Sequence, residues 1–412
     1  MNAGTDSYSQ DHLDSAASWM RLAVSALVGA VGSVGMWSVV VVLPAVQAEF
    51  GVTRADASLP FTSAMMGFGL GNVVMGRLAD RFGITLPVIC GACALGLGYA
   101  AAGLSPNLWF FVAAHFLVGM GAAAGFGPVV ADVSHWFLRR RGIAVAVAAS
   151  GNYLAGAIWP PLLQYFVSTS GWRLTHFGIG VVCVVMLVPL SLLLLRRQPG
   201  HDHVAQSAAP AGSFARIGLS PRALQALLCV AGIACCVAMA MPQVHIVAYC
   251  GDLGYGVARG AEMLSIMLAS GIVSRIASGF IADRIGGLGT LLIGSFMQMV
   301  ALALYLLFDG LMSLYIISAL FGLFQGGIVP SYALIVREFF PPREAGMRVG
   351  VVIFATVIGM ALGGWMSGLI FDVTGSYAAA FVHGILWNML NLAIAGWLLL
   401  RVRGGGYRMA PA

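Results

Sequence analysis

Short polar gaps divide the chain into long apolar runs. Twelve runs are each long enough to cross a bilayer as a helix, which takes roughly 20 apolar residues. They lie at 19–47, 57–76, 84–104, 107–133, 142–166, 174–195, 222–249, 259–280, 288–308, 311–336, 348–371 and 377–400. The gap Gly76-Arg77-Leu78-Ala79-Asp80-Arg81-Phe82-Gly83 returns half a chain later as Gly279-Phe280-Ile281-Ala282-Asp283-Arg284-Ile285-Gly286, with Gly, Ala, Asp, Arg and Gly in the same places. A repeat at that spacing reads as a duplicated unit. The pattern predicts an all-α membrane protein: twelve transmembrane helices in two pseudo-symmetric six-helix bundles, at 19–195 and 222–400. Between them 196–221, rich in Ala, Ser, Pro and Gly, reads as a flexible linker. Residues 1–18 and 401–412 are the tails.

Composition strengthens this picture. Hydrophobic residues make up 60% and charged residues 9%, far below the roughly 25% charged of a soluble domain. All 21 basic residues are arginine, and against 15 acids they leave a net charge of +6. They are scattered through short loops, without interleaved aromatics on one face, which argues against nucleic acid as a partner. Instead they orient the helices. With the N-terminus inside, Arg21, 77, 81, 139, 140, 141, 196, 197, 216, 222, 284, 337, 343, 348, 401, 403 and 408 fall on the inner side, and the outer loops hold Arg54, Arg173 and Arg259. Both termini and the linker are therefore expected in the cytoplasm. Met1 to Ser18 is polar and carries Asp6, Asp11 and Asp14, unlike a secretory signal, so the first run is expected to be a retained span. The seven cysteines sit almost wholly in apolar runs and read as small packing groups rather than metal ligands. No cofactor or metal is expected. The chain has no G-x-S-x-G, H-E-x-x-H or P-loop pattern, so an enzyme is not expected either.

One arginine is left over from this division. Arg275 lies midway along the eighth run, in Gly271-Ile272-Val273-Ser274-Arg275-Ile276-Ala277-Ser278-Gly279. A charge at that depth costs at least about 2.5–3.5 kcal/mol. It needs a partner or a water-filled cavity, and a guanidinium matches a carboxylate through two parallel hydrogen bonds. Arg275 is thus the candidate anion site, against a buried structural pair with the rare membrane acids, of which Asp132 is the clearest.

The repeated gap resembles the loop between helices two and three of the major facilitator superfamily, Gly-x-Leu-Ala-Asp-Arg-x-Gly-Arg-Arg. Gly76, Leu78, Ala79, Asp80, Arg81 and Gly83 match it, while Ile84-Thr85 replace the final basic pair. The resemblance covers both halves and the linker, and it implies two rocking bundles around a midplane site. It also implies that Asp80, Arg81, Asp283 and Arg284 are gate latches, the aspartates capping helix N-termini. Within the superfamily the chain resembles the monocarboxylate-carrier and oxalate/formate-antiporter branch. Trp136-Phe137-Leu138-Arg139-Arg140-Arg141-Gly142 is similar to the branch pattern after helix four, and Gly32-Ser33-Val34-Gly35-Met36-Trp37 is a partial match to its helix-one opening. Arg275 falls on the branch's carboxylate-binding arginine. Mammalian lactate carriers have an acid one turn earlier, where this chain has Gly271, and the lysines of both subgroups are missing.

The resemblance and the residues together imply a secondary transporter of a small organic monocarboxylate, lactate- or pyruvate-like, by alternating access and proton-coupled symport. Substrate contacts are expected from Arg275, Tyr332, His245, Asn152 and Trp37. Proton-coupling candidates are His245, His115 and Asp132. Asp132 is read first as pairing with Arg139 to Arg141 at the inner face, which adds Arg140 and Arg141 to the gating set. The expected partners are the monocarboxylate anion, a proton and the lipid bilayer, for a monomer in a bacterial inner membrane. The alternatives are an organic anion exchanger of the oxalate/formate type, a proton-driven exporter of hydrophobic compounds, and a non-transporting receptor.

Overall fold

The computed structural model describes residues 13–195 and 218–405. The expected linker, apart from 218–221, and the outer parts of both tails lie outside the described residues. The N-terminal half contains α1 (Ala16–Gly32), α2 (Val34–Phe50), α3 (Arg54–Phe82), α4 (Thr85–Gly103), α5 (Leu108–Ala123), α6 (Gly127–Ser134), α7 (Arg141–Ala149) and α8 (Gly151–Leu192). The C-terminal half contains α9 (Pro221–Asp252), α10 (Val257–Leu307), α11 (Leu311–Gln325), α12 (Ile328–Phe339), α13 (Pro342–Thr374) and α14 (Tyr377–Gly405). Among the described residues nine segments are long and apolar enough to cross a membrane. Two of them, Gly142–Leu192 and Val257–Leu307, have 51 residues each, about 75 Å of helix at 1.5 Å per residue. Each turns back at a glycine of positive φ, Gly171 at 78° and Gly286 at 77°. Counting these as pairs and adding α3, whose polar ends dilute its apolar middle, gives the expected twelve.

The duplication is visible in the backbone. Gly83 (φ 82°, ψ 174°) ends α3, and Gly286 (φ 77°, ψ 170°) ends the first limb of α10 with nearly the same torsions. Glycine adopts this region at little steric cost, and the repeat requires it at both places. The motif itself is therefore helical up to its last glycine. Asp80 and Asp283 sit in the closing turns of helices, so the expectation that they cap N-termini is corrected. Glu338 on α12 makes such a contact instead, accepting from Gly287 N–H at 2.8 Å. The first helix also starts earlier than expected, because Ser15 caps it by accepting from Ser18 N–H at 3.3 Å.

Small residues set the packing distances. A Cβ on Gly67 would lie 2.1 Å from Phe116 O, and one on Gly119 would lie 2.0 Å from Ala64 O, so α3 and α5 touch backbone to backbone. Between the halves α3 runs along α13, with Thr62 Oγ1 donating to Ala361 O at 3.0 Å, and a Cβ on Gly364 or Gly368 would crowd Phe61 or Ala55. The first limb of α8 runs along the first limb of α10, where Ser265 donates to the Ala157 carbonyl. Two ends result. One, arginine-rich, carries Gly83, Arg139 to Arg141, Gly286 and Glu338. The other, arginine-poor, carries Gly51, Gly103, Gly171, Asp252 and Gly375.

Candidate substrate site and gates

Several helices break midway along their length: α1 from α2 at Ser33, α5 from α6 at 124–126, α7 from α8 at Ser150, and α11 from α12 at 326–327. Broken helices expose carbonyls and N–H groups at depth, tolerable only where they meet protein or a cavity. In the N-terminal half these breaks meet: a Cβ on Gly29 would lie 3.2 Å from Gly125 O and 3.3 Å from Gly151 Cα.

Arg275 joins the breaks of the two halves. Its Nη1 donates to Ala149 O at 2.7 Å and its Nε to Gly326 O at 3.4 Å. The guanidinium lies 4.2 Å over the Tyr153 ring. Among the described residues no carboxylate forms an ion pair with it. The charge is thus held by carbonyl dipoles and an aromatic face, and part of its fork is not committed to an acid. Gly271, where the lactate carriers have an acid, makes this arrangement possible: a Cβ there would lie 2.4 Å from Tyr153 Cε1. The glycine admits the ring, and the ring takes the place of the acid as the arginine's neighbour.

Trp37 and Asn152, two of the expected substrate contacts, are brought together. Trp37 Nε1 donates to Asn152 Oδ1 at 3.0 Å and to Asn152 O at 3.1 Å, fastening α2 to the start of α8 beside Tyr153. Tyr332 is placed elsewhere. It is fully buried, and its hydroxyl donates to Asn391 Oδ1 at 2.8 Å, while Asn391 Nδ2 donates to Ser295 Oγ. These bonds tie α12 to α14 and the second limb of α10.

Asp132 pairs with Arg21, a partner not named from the sequence. It accepts from Arg21 Nε at 2.7 Å and Nη2 at 2.9 Å, deep within the N-terminal half. Arg21, expected at the inner end of the first run, belongs to α1, is 6% exposed, and lies over Trp136. The loop arginines are held by the chain before α1. The Asp14 carboxylate accepts from the N–H groups of Leu138, Arg139 and Arg140, and Arg140 lies 5.8 Å over Trp19. The side chain of Arg141 lies outside the described residues. Burial would raise the Asp14 carboxyl, but the three N–H groups and the Arg139 charge outweigh it and hold it below the usual carboxylate range. Asp80, Arg81, Asp283 and Arg284 are all exposed and, among the described residues, form no ion pair.

At the arginine-poor end the halves are fastened. Asp372 of α13 accepts from Arg54 N–H at 2.8 Å and Ala55 N–H at 2.7 Å, capping the start of α3 from the opposite half. Arg54 Nη2 donates to Asp252 Oδ1 at 3.1 Å and Nη1 to Tyr377 Oη at 2.9 Å. His245 belongs to this latch: Nδ1 is 3.1 Å from Tyr377 Oη and Nε2 2.7 Å from Gly364 O. His115 is also fully buried, with Nδ1 2.9 Å from Phe111 O and its ring 5.7 Å from that of His176.

The sequence profile of the Major Facilitator Superfamily matches residues 25–317. The chain belongs to this superfamily. This superfamily member is a multi-pass membrane transporter and not an enzyme. It is 28% identical over 321 residues to monocarboxylate transporter 13 of Bos taurus, covering 76% of this chain and 73% of that one. It is 25% identical over 296 residues to the MFS-type transporter pynF of Aspergillus niger, covering 71% and 67%. Among solved structures it resembles a bacterial homolog of the human lysosomal transporter Spinster in an inward-facing, unoccupied conformation. That match has a TM-score of 0.69 at 15% identity over 97% of this chain and all of the other. The nucleoside transporter NupG aligns with a TM-score of 0.67 at 14% identity over 93% and 99%.

In this transporter two groups escaped sequence reasoning. Tyr153 was visible as a polar residue in an apolar run, and Gly271 as a missing acid, but nothing linear links them. The latch of Arg54, Asp252, Asp372 and Tyr377 was hidden because each lies at a helix end, where a charged residue ordinarily caps a turn. The Gly-rich stretches 119–127 and 326–327 were the available signal for the breaks.

Proposed function

We propose that this transporter carries a small organic monocarboxylate, lactate- or pyruvate-like, by alternating access, with a proton accompanying the anion. The observation that carries this role is Arg275, a membrane-embedded guanidinium with carbonyls and a tyrosine face as neighbours instead of a carboxylate. An arriving carboxylate supplies the missing countercharge. It accepts from the guanidinium fork, while the Tyr153 ring behind the fork and the Trp37–Asn152 bond beside it fix the geometry. The name of the Bos taurus relative supports the substrate class. The arginine-rich end faces the cytoplasm by the distribution of arginines. The latched arginine-poor end and the unpaired Asp80, Arg81, Asp283 and Arg284 then describe an inward-open conformation. The membrane is a bacterial inner membrane, in keeping with the lysine-free, Gly- and Ala-rich composition, and the monomer is the working unit. A proton moving with the monoanion makes the cycle electroneutral, so the membrane potential of about 2.3 kcal/mol per charge per 100 mV does not oppose it.

The test is uptake of radiolabelled lactate into proteoliposomes, with wild type beside Arg275→Ala and with or without an inward proton gradient. Uptake that depends on Arg275 and rises with the gradient supports the symporter. Exchange of preloaded acid without gradient-driven uptake moves the protein to the organic anion exchangers. Equal rates in the two proteins overturn the carboxylate site.

A further inference from the structure

The latch contains a hydrogen-bond relay whose direction is fixed by chemistry. The Gly364 carbonyl can only accept, so His245 Nε2 carries a hydrogen and donates to it at 2.7 Å. Arg54 can only donate, so Tyr377 Oη accepts from Nη1 at 2.9 Å. The remaining contact, 3.1 Å between Tyr377 Oη and His245 Nδ1, then has the hydroxyl donating and the ring nitrogen accepting. With His245 neutral every hydrogen in the relay has an acceptor. With a proton on Nδ1 the Tyr377 hydroxyl loses its acceptor, and a third donor points into the same space. The relay spans the halves, since Arg54 starts α3 while His245, Gly364 and Tyr377 belong to α9, α13 and α14.

We propose that Nδ1 of His245 is the site that takes up the co-transported proton, and that closing the arginine-poor end expels it. Resting on the carrier role above, the cycle is as follows. When the halves part at this end, Arg54 and Tyr377 separate, the relay is lost, and the Nδ1 lone pair is free to bind a proton from that side. When the halves meet again, Tyr377 O–H must donate to that lone pair, so the N–H bond at Nδ1 breaks. The latch seals the side the proton came from. The proton therefore leaves toward the cavity, where the carboxylate held by Arg275 or a water accepts it. Closure and proton release are one event, which ties the gradient to the rocking of the halves. The charged and titratable groups around His245 are Tyr377 of α14, Arg54 of α3, Asp372 of α13, and Asp252 and Tyr249 of α9. Arg54 is one cation against two carboxylates, so one added proton on the ring does not leave the cluster with excess positive charge.

Two measurements test this on the full chain. In proteoliposomes with a gradient of one pH unit, a carrier moving one proton per anion accumulates lactate about tenfold. His245→Gln, which cannot carry a proton, is expected to exchange lactate but to accumulate none, and Tyr377→Phe, which lacks the displacing hydroxyl, to accumulate less than about threefold. Tenfold accumulation by His245→Gln overturns the proposal. Independently of any substrate, spin labels on Ala48→Cys and Ala378→Cys, both exposed and on opposite halves, report the width of the arginine-poor end once the exposed Cys93 is replaced by Ser. Acid is expected to lengthen this distance in the otherwise wild-type protein and to leave it unchanged with His245→Gln. A distance that ignores pH, or that responds equally in the variant, overturns the proton site. If the distance responds as expected and no monocarboxylate moves, the proton site stands and the substrate class proposed above falls.

Discussion

Asp372→Asn tests the latch as a conformational switch. The carboxylate receives two N–H groups at 2.7 and 2.8 Å from the first turn of α3 in the opposite half. Hydrogen bonds to charged groups contribute about 1.5–3 kcal/mol each, and a charge at a helix N-terminus adds about 0.3–1 kcal/mol. The amide keeps one acceptor oxygen, so one charged bond is lost and the other becomes a neutral one. Because Asp372 is exposed on the rim, water offsets part of this, leaving a loss of about 1.5–2 kcal/mol. At about 1.4 kcal/mol per tenfold, the ratio of latched to unlatched molecules falls about 10- to 30-fold. The spin-label pair at Ala48 and Ala378 measures this ratio directly as the weights of the short and long distances. A change smaller than threefold, repeated with Asp372→Ala, would show that these bonds follow closure without stabilising it.

Gly271→Ala places a methyl 2.4 Å from Tyr153 Cε1, so the ring must move about 1 Å to regain ordinary contact and leaves the Arg275 face. A desolvated cation–π contact contributes about 2 kcal/mol. Lactate affinity, read by isothermal titration, should therefore weaken up to about 30-fold, and an unchanged affinity refutes the role given to the ring. Asp132→Asn leaves the Arg21 charge deep in the bundle without its anion, a loss of about 3–5 kcal/mol. Thermal unfolding in detergent should show it, with Arg21→Leu/Asp132→Leu recovering most of the loss; a fully stable single variant refutes the structural pair. The lowered carboxyl of Asp14 makes the strap over 138–140 present above the unfolded value of about 3.9 and lost as pH falls through the lower folded value. Amide protection at Leu138 to Arg140, taken relative to the intrinsic exchange rate at each pH, should be high at pH 5 and fall as acid protonates the carboxylate in the wild type. Asp14→Asn should remove that difference, and its persistence refutes the strap.

The fold was legible in this chain because a bilayer allows few solutions. Every backbone group in hydrocarbon must be satisfied locally, so the long apolar runs become helices. The Gly-Ala-Asp-Arg-Gly repeat pairs the halves, and its closing glycines do adopt matching torsions. Arg275 stood out for the same reason, as a charge in a medium that penalises charge. What these signals left open was decided by contacts between residues far apart in sequence. The acid of the lactate carriers is absent at Gly271, and its place beside Arg275 is filled by Tyr153 from the other half, through a gap that only the packing of α8 on α10 creates. Asp132 pairs with Arg21, 111 positions earlier, because the packing of the helices brings α1 beside it. His245 and Tyr332 were both expected at the substrate, yet the first joins the latch and the second the core of the C-terminal half. Periodicity and charge thus determine which segments are helices and which residues carry expensive chemistry. Which of those residues face one another depends on how the two bundles close, a property of the whole chain that no local run of residues contains.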